Sequence, residues 1–77
     1  MMKELVEHMA KSLVTQPEAI EVVEQILDDR TVNLELHTAK DDMGKVIGKQ
    51  GSIAKAMRIV LKAAASTEGK KANLDIV

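Results

Sequence analysis

The residues best equipped for chemistry in this 77-residue chain fall in one run, "KVIGKQGSIAKAMR", from Lys45 to Arg58. Two glycines, Gly48 and Gly51, enclose Lys49 and Gln50. Lys45, Ser52, Lys55 and Arg58 stand on either side. Glycine is disfavoured inside a helix, yet both flanks carry helical patterns. The simplest reading is a corner between two helices, with Gly48 as a left-handed cap and Gly51 easing the next start. A nucleotide-phosphate loop fits poorly: "GKVIGKQG" lacks the Gly-Lys-Ser/Thr ending, and no buried strand directly precedes it. That argues against an NTPase. A third chemistry is contact with a sugar-phosphate chain. Glycines leave no Cβ between backbone and ligand, and the amides and dipole of a following helix favour anions. Lys49 then sits where an ammonium reaches a phosphate, and Gln50 can donate or accept a hydrogen bond.

The other titratable residues offer less. His8 and His37 have no partners at metal-ligand spacing, and Asp28–Asp29 and Asp41–Asp42 read as turn and helix-start residues. The sequence has no cysteine, which removes disulfides and thiolate metal sites. With no nucleophile–base pair either, neither an enzyme nor a cofactor or metal is expected. Phe, Tyr and Trp are absent, so bases cannot be stacked on aromatic rings. Any base recognition would rest on aliphatic contacts and backbone hydrogen bonds, with modest affinity and loose specificity. The net charge is −1, but residues 1–37 sum to −5 and residues 38–77 to +4. Such asymmetry marks a candidate charged face. Glu4, Glu7 and His8 interrupt the N-terminal apolar pattern, so it does not read as a signal peptide, and no run is long enough to span a membrane. A cytoplasmic protein is the expectation.

These side chains need elements to hold them. Residues 3–14 have helical spacing, with Leu5, Val6, Met9, Leu13 and Val14 facing away from Glu4, Glu7 and Lys11. Pro17 then interrupts the pattern and restricts Gln16. Residues 18–27 are ambiguous. Thr15 and Glu18 form a capping-box pattern, with Ile20, Val23 and Leu27 on a helical face. The same segment also alternates, with Ile20, Val22 and Ile26 on one side and Glu24 as a polar break. Local signals lean towards helix. "DDR" at 28–30 is a turn, and "TVNLELHT" alternates cleanly, predicting a half-buried strand with Val32, Leu34 and Leu36 inward. A short helix is expected over 39–47, a long one from Ser52 to about Ser66, a loop around Gly69 and a closing strand in "ANLDIV".

The long helix has more apolar residues than one stripe needs. Ile53, Ala54, Met57, Val60, Leu61 and Ala64 form its main face, opposite Lys55, Arg58, Lys62 and Ser66. Ile59, with Ala56 and Ala63 beside it, falls on a flank. An aliphatic flank of this kind is a candidate interface, with Ile59 or Val60 at the contact.

The string "GKVIGKQGSIAKAMR" resembles the signature of KH domains. The whole chain resembles the small single-KH RNA-binding proteins of bacteria, the KhpA type. That resemblance implies an α+β fold of type II over residues 1–77, ordered helix–strand–strand–helix–GxxG–helix–strand. A three-stranded sheet packs against the helices, and 18–27 is a strand despite its local signals. It implies single-stranded RNA as ligand, bound through a loop at 48–51, in an RNA chaperone or post-transcriptional regulator. By the same resemblance, Gly48, Lys49, Gln50 and Gly51 match the backbone-contacting loop. Val46 and Ile47 match the aliphatic pair before it, which anchors the short helix and lines the groove. Lys45, Ser52, Lys55 and Arg58 become candidate phosphate contacts. Lys70 and Lys71, in the loop before the last strand, become flanking ones. Leu34 and Leu36 match the strand beside the groove, with core packing as their main job. Ala54 stands where many KH domains have a bulky aliphatic residue, which would alter the groove. The implied protein partners are a second copy, a second bacterial KH protein of the Jag type, or both. A KH-like protein-interaction module with little RNA role is the alternative, favoured by the negative net charge and the lack of aromatic residues.

Overall fold

The computed structural model describes residues 2–77 and forms two layers, a three-stranded sheet and the helices on one of its faces. The elements are α1 (Met2–Lys11), β1 (Glu21–Ile26), β2 (Thr31–His37), α2 (Met43–Ile47), α3 (Ser52–Thr67) and β3 (Lys71–Ile76). Single 3-10 turns occupy Pro17–Ala19, Lys40–Asp42 and Lys49–Gly51. The sheet order is β1-β2-β3, with β1 antiparallel and β3 parallel to the central strand. The parallel pairing requires a crossover, and α2 and α3 supply it. This is the α+β order expected from the resemblance.

The core is aliphatic throughout. Val32, Leu34 and Leu36 of β2 point into it at alternate positions, as the sequence pattern predicts. Val22, Ala72 and Leu74 join them from the outer strands. From the helical side come Val6, Ala10, Val46, Met57, Leu61 and Ala65. The open face of the sheet is polar: Glu35 Oε1 lies 2.9 Å from His37 Nε2, and Asn73 Nδ2 donates to Asn33 Oδ1 over 2.9 Å.

Several expectations shift at the element edges. The first helix ends at Lys11, three residues short of the predicted span, and its buried stripe is Met2–Val6–Ala10. Leu5, Met9 and Val14 only pack against the core margin, and Leu13 is exposed. The capping box at Thr15 does not form. Thr15 Oγ1 donates to Asp42 Oδ1 at 2.9 Å instead, so the helical signal of 18–27 shrinks to the Pro17–Ala19 turn. The rest of that segment is strand, paired from Glu21 with His37 to Ile26 with Val32. Helices cover Ile20 and Val22 but not Ile26, which is 72% exposed at the far end of an edge strand. In α3 the buried line is Ala54, Met57, Leu61 and Ala65, while Val60 faces outward. Lys71 opens β3 rather than lying in the preceding loop.

Candidate nucleic-acid interface

The glycine corner follows from backbone angles that other residues resist. The α2 helix closes with the Gly48 amide donating to the Gly44 carbonyl at 2.9 Å. Gly48 then takes φ 75°, ψ 178°, a combination essentially reserved for glycine. Gln50 (φ 56°) and Gly51 (φ 76°) are both left-handed, and α3 starts at Ser52. Gln50 is the one non-glycine residue with positive φ among those described, so the turn holds real backbone strain.

The two glycines do different jobs. A Cβ on Gly48 would stand 2.7 Å from Ile53 Cγ1 and 2.9 Å from the Ile53 nitrogen. Gly48 is therefore required by packing of the loop onto the first turn of α3, not by an approaching ligand. A Cβ on Gly51 would meet nothing within 4 Å. Gly44 and Gly69 have the same free space, but of the two loop glycines only Gly51 has it, and it alone stands where the amides of a 16-residue helix begin.

Around this opening stand Lys45, Lys49, Gln50, Ser52 and Lys55, all exposed. Among the described residues, none of these lysines has a carboxylate within 4.0 Å. Val46 is completely buried and anchors α2, while Ile47 only packs against the core margin, so the aliphatic pair divides its work. Arg58 is not a fully solvated cation. Its Nε donates to the Leu74 carbonyl at 3.0 Å and ties α3 to β3. Leu34 and Leu36 are fully buried, and the strand that α3 lies beside at the sheet edge is β3. Ala54 is also buried, and Ile53 is the residue that meets Gly48. Lys70 and Lys71 sit at the opposite end of α3 from the glycines. There Gly69, with φ 68°, ends the helix through Lys70 N to Ala65 O (2.9 Å) and Gly69 N to Ser66 O (3.0 Å).

Asp42 stands at the start of α2, as the sequence reading has it, but its side chain makes no cap there and does a job which that reading misses. Asp42 is 1% exposed, and its Oδ1 accepts from the Thr15 amide (3.1 Å) and hydroxyl (2.9 Å), its Oδ2 from the Gln16 amide (3.1 Å). Burial pushes this carboxyl upward. The Thr15 amide and hydroxyl, the Gln16 amide and the charge of Lys45 outweigh it and hold the carboxyl below the usual aspartate range. Asp42 immediately precedes α2, so it fastens the base of the glycine corner to the α1–β1 connection. Its partners lie 26 and 27 residues upstream, and no local pattern announces them.

The comparisons agree with this architecture. The family model described as "KhpA/KhpB, KH domain" matches residues 3–76. A protein of Clostridium perfringens named RNA-binding protein KhpA is 57% identical over 76 residues, covering 99% of this chain and 100% of its own length. Its namesake in Listeria monocytogenes is 42% identical, covering 99% of each. The crystal structure of Aquifex aeolicus Era bound to GDP and AlF4 superposes with TM-score 0.70 at 17% identity, over 97% of this chain and 29% of that one. At that identity the likeness is one of fold. The sheet order, the strained glycine corner and the full-length match agree, and the chain belongs to the KhpA/KhpB family of KH domains.

Proposed function

We propose that this protein binds single-stranded RNA at the Gly48–Gly51 loop, in the bacterial cytoplasm, as an RNA chaperone or post-transcriptional regulator and not as an enzyme. The observation that carries the reading is the open space before Gly51, at the start of a long helix and among unpaired lysines. A phosphate there meets helix amides directly and the ammonium groups of Lys49 and Lys55 from either side. Ile47, Gln50 and Ser52 shape the contact, with Lys45 and Arg58 at its margins. Val46 and Gly48 support it indirectly, Val46 by anchoring α2 in the core and Gly48 by letting the loop pack on Ile53. The relatives' shared name, RNA-binding protein KhpA, supports the same ligand class.

If three or four cations neutralise phosphates, log affinity for a single strand falls against log salt with a slope of about −2 to −3. Anisotropy titrations across a salt series measure it. A slope near zero removes the electrostatic half of this mechanism.

The same reading includes a protein partner, either a second copy or a KH protein of the Jag type. Ala56, Ile59, Val60 and Ala63 are all exposed on one side of α3, with Ile59 at 68% and Val60 at 45%. Ala56 and Val60 also line a shallow apolar groove between α1 and α3, together with Met9, Ile53 and Met57. Large exposed aliphatics side by side on a helix support an interface there.

A further inference from the structure

The helix that starts at the glycine loop also carries a row of polar groups leading away from it. Lys55, Arg58, Lys62 and Ser66 follow spacings of three, four and four residues, which keeps them on one face. The row spans from the loop to the last turn of α3, roughly 21 Å from Ser52 to Ser66 at ~1.5 Å per residue. At its end lies a depression of about 600 Å³ lined by Arg30, Lys62, Ser66, Lys70, Lys71 and Asn73. A second hollow, sharing Lys62 and Asn73 and reaching Arg58, joins it to the middle of the row.

Chain segments far apart in sequence build this basin, and their backbones are fixed. Arg30 sits in the β1–β2 turn, its amide donating to Asp28 Oδ1 at 2.8 Å and its carbonyl accepting from the Lys71 amide at 2.6 Å. The helix-ending turn at Gly69 fixes Lys70 next to them. Among the described residues, Arg30, Lys62, Lys70 and Lys71 have no carboxylate within 4.0 Å. Acidic neighbours do exist. Asp28 and Asp29 share a surface hollow with Arg30 and Lys71, and Asp75 lines the connecting hollow. Asp28 Oδ1 is occupied by the Arg30 and Thr31 amides. The Arg30 amide first, and the charge of Lys71 among lesser causes, hold the Asp28 carboxyl below its ordinary range, so part of the basin's charge is balanced at a distance. With no carboxylate in direct contact among the described residues, the four cationic heads stay free to meet an anion.

We propose that this basin is a second phosphate site, and that a single RNA strand held at the glycine loop continues along Lys55, Arg58 and Lys62 to reach it. The inference rests on the RNA-binding reading and extends it. The protein's footprint becomes about six nucleotides at ~3.4 Å each if the strand stays stacked, against the four nucleotides that a glycine-loop clamp holds.

The test uses tetra-uridylate and deca-uridylate as probes, with the parent and the double variant Arg30→Ala/Lys62→Ala. Neither side chain belongs to the core, and Arg30 keeps its backbone hydrogen bonds in the variant, so circular dichroism should be unchanged. The variant is expected to bind the decamer about tenfold more weakly than the parent does. Its salt slope on the decamer should be shallower by about 1.4, or ~0.7 for each lost phosphate contact. Its affinity for the tetramer should stay at the parent value. Parent-like affinity and slope on the decamer would overturn the second site. So would an equal loss on both probes, which means diffuse attraction. Failure of the parent to bind either probe would instead defeat the RNA-binding reading, and this extension with it.

Discussion

Placing an aspartate at each glycine in turn separates the two roles that the loop combines. At Gly51 the residue must adopt φ 76°, ψ 17°, which Asp tolerates better than most, with nothing within 4 Å of its Cβ. The conformational cost is about 1 kcal/mol. At Gly48 it must adopt φ 75°, ψ 178° with its Cβ 2.7 Å from Ile53 Cγ1 and 2.9 Å from the Ile53 nitrogen. Strain of ~1–3 kcal/mol and overpacking of ~1–3 kcal/mol then add. A 77-residue domain has a total stability of about 4–12 kcal/mol, so Gly48→Asp removes a large share of it and Gly51→Asp a small one. Binding should follow a different order. A carboxylate ~5 Å from a phosphate repels it by about 0.8 kcal/mol in bulk water and about 3.3 kcal/mol at an effective dielectric of ~20. Gly51→Asp should therefore weaken RNA binding by between about 4-fold and about 250-fold while staying folded. Gly51→Asn, with the same shape and no charge, should fall between it and the parent. Urea unfolding followed by circular dichroism gives the stabilities, and anisotropy with a labelled single strand gives the affinities. Parent-like RNA binding by Gly51→Asp would refute the assigned approach path. Equal urea midpoints for the two aspartate variants would refute the packing role of Gly48.

Other perturbations test the supports of the site. Asp42 has a folded-state pKa held below its ordinary value, so its hydrogen bonds contribute stability above pH 3.8 that disappears as pH falls through the lowered value. Asp42→Asn should lower the urea midpoint at pH 7, and the gap from the parent should close in acid; a gap independent of pH would contradict the role of the charge. Leu34→Ala, at a fully buried position of the central strand, should cost about 2–5 kcal/mol, readable as a fall in the urea midpoint; a change below ~1 kcal/mol would mean the core is not centred there. Ile59→Asp and Val60→Asp should halve the mass of a dimeric parent in light scattering without loss of helicity, and unchanged mass for both would exclude this flank of α3 as the contact.

Much of the site was legible because its parts are contiguous. The string from Lys45 to Arg58 contains the glycines, the flanking cations and the start of α3, and local chemistry fixes what each type can do. The division of labour between Gly48 and Gly51 was not legible, because it depends on where Ile53 turns in space. The segment 18–27 shows the converse limit. Its capping signal was sound locally, but Thr15 is drawn to a buried carboxylate 27 residues away and the strand pairs with β2. Non-local hydrogen bonds outweighed a propensity difference of a few tenths of a kcal/mol per residue.

Alternation in 31–37, helical spacing after Ser52 and the two glycines were enough to determine the central strand, the long helix and the loop between helices. These depend on periods and backbone angles that each short segment specifies alone. Tertiary structure alone decided which face each element buries, what holds α2 in place, and that Arg30 meets Lys62, Lys70 and Lys71 in one basin. Those outcomes depend on the parallel pairing of β2 with β3, which brings the β1–β2 turn beside the end of α3 across 40 residues of sequence.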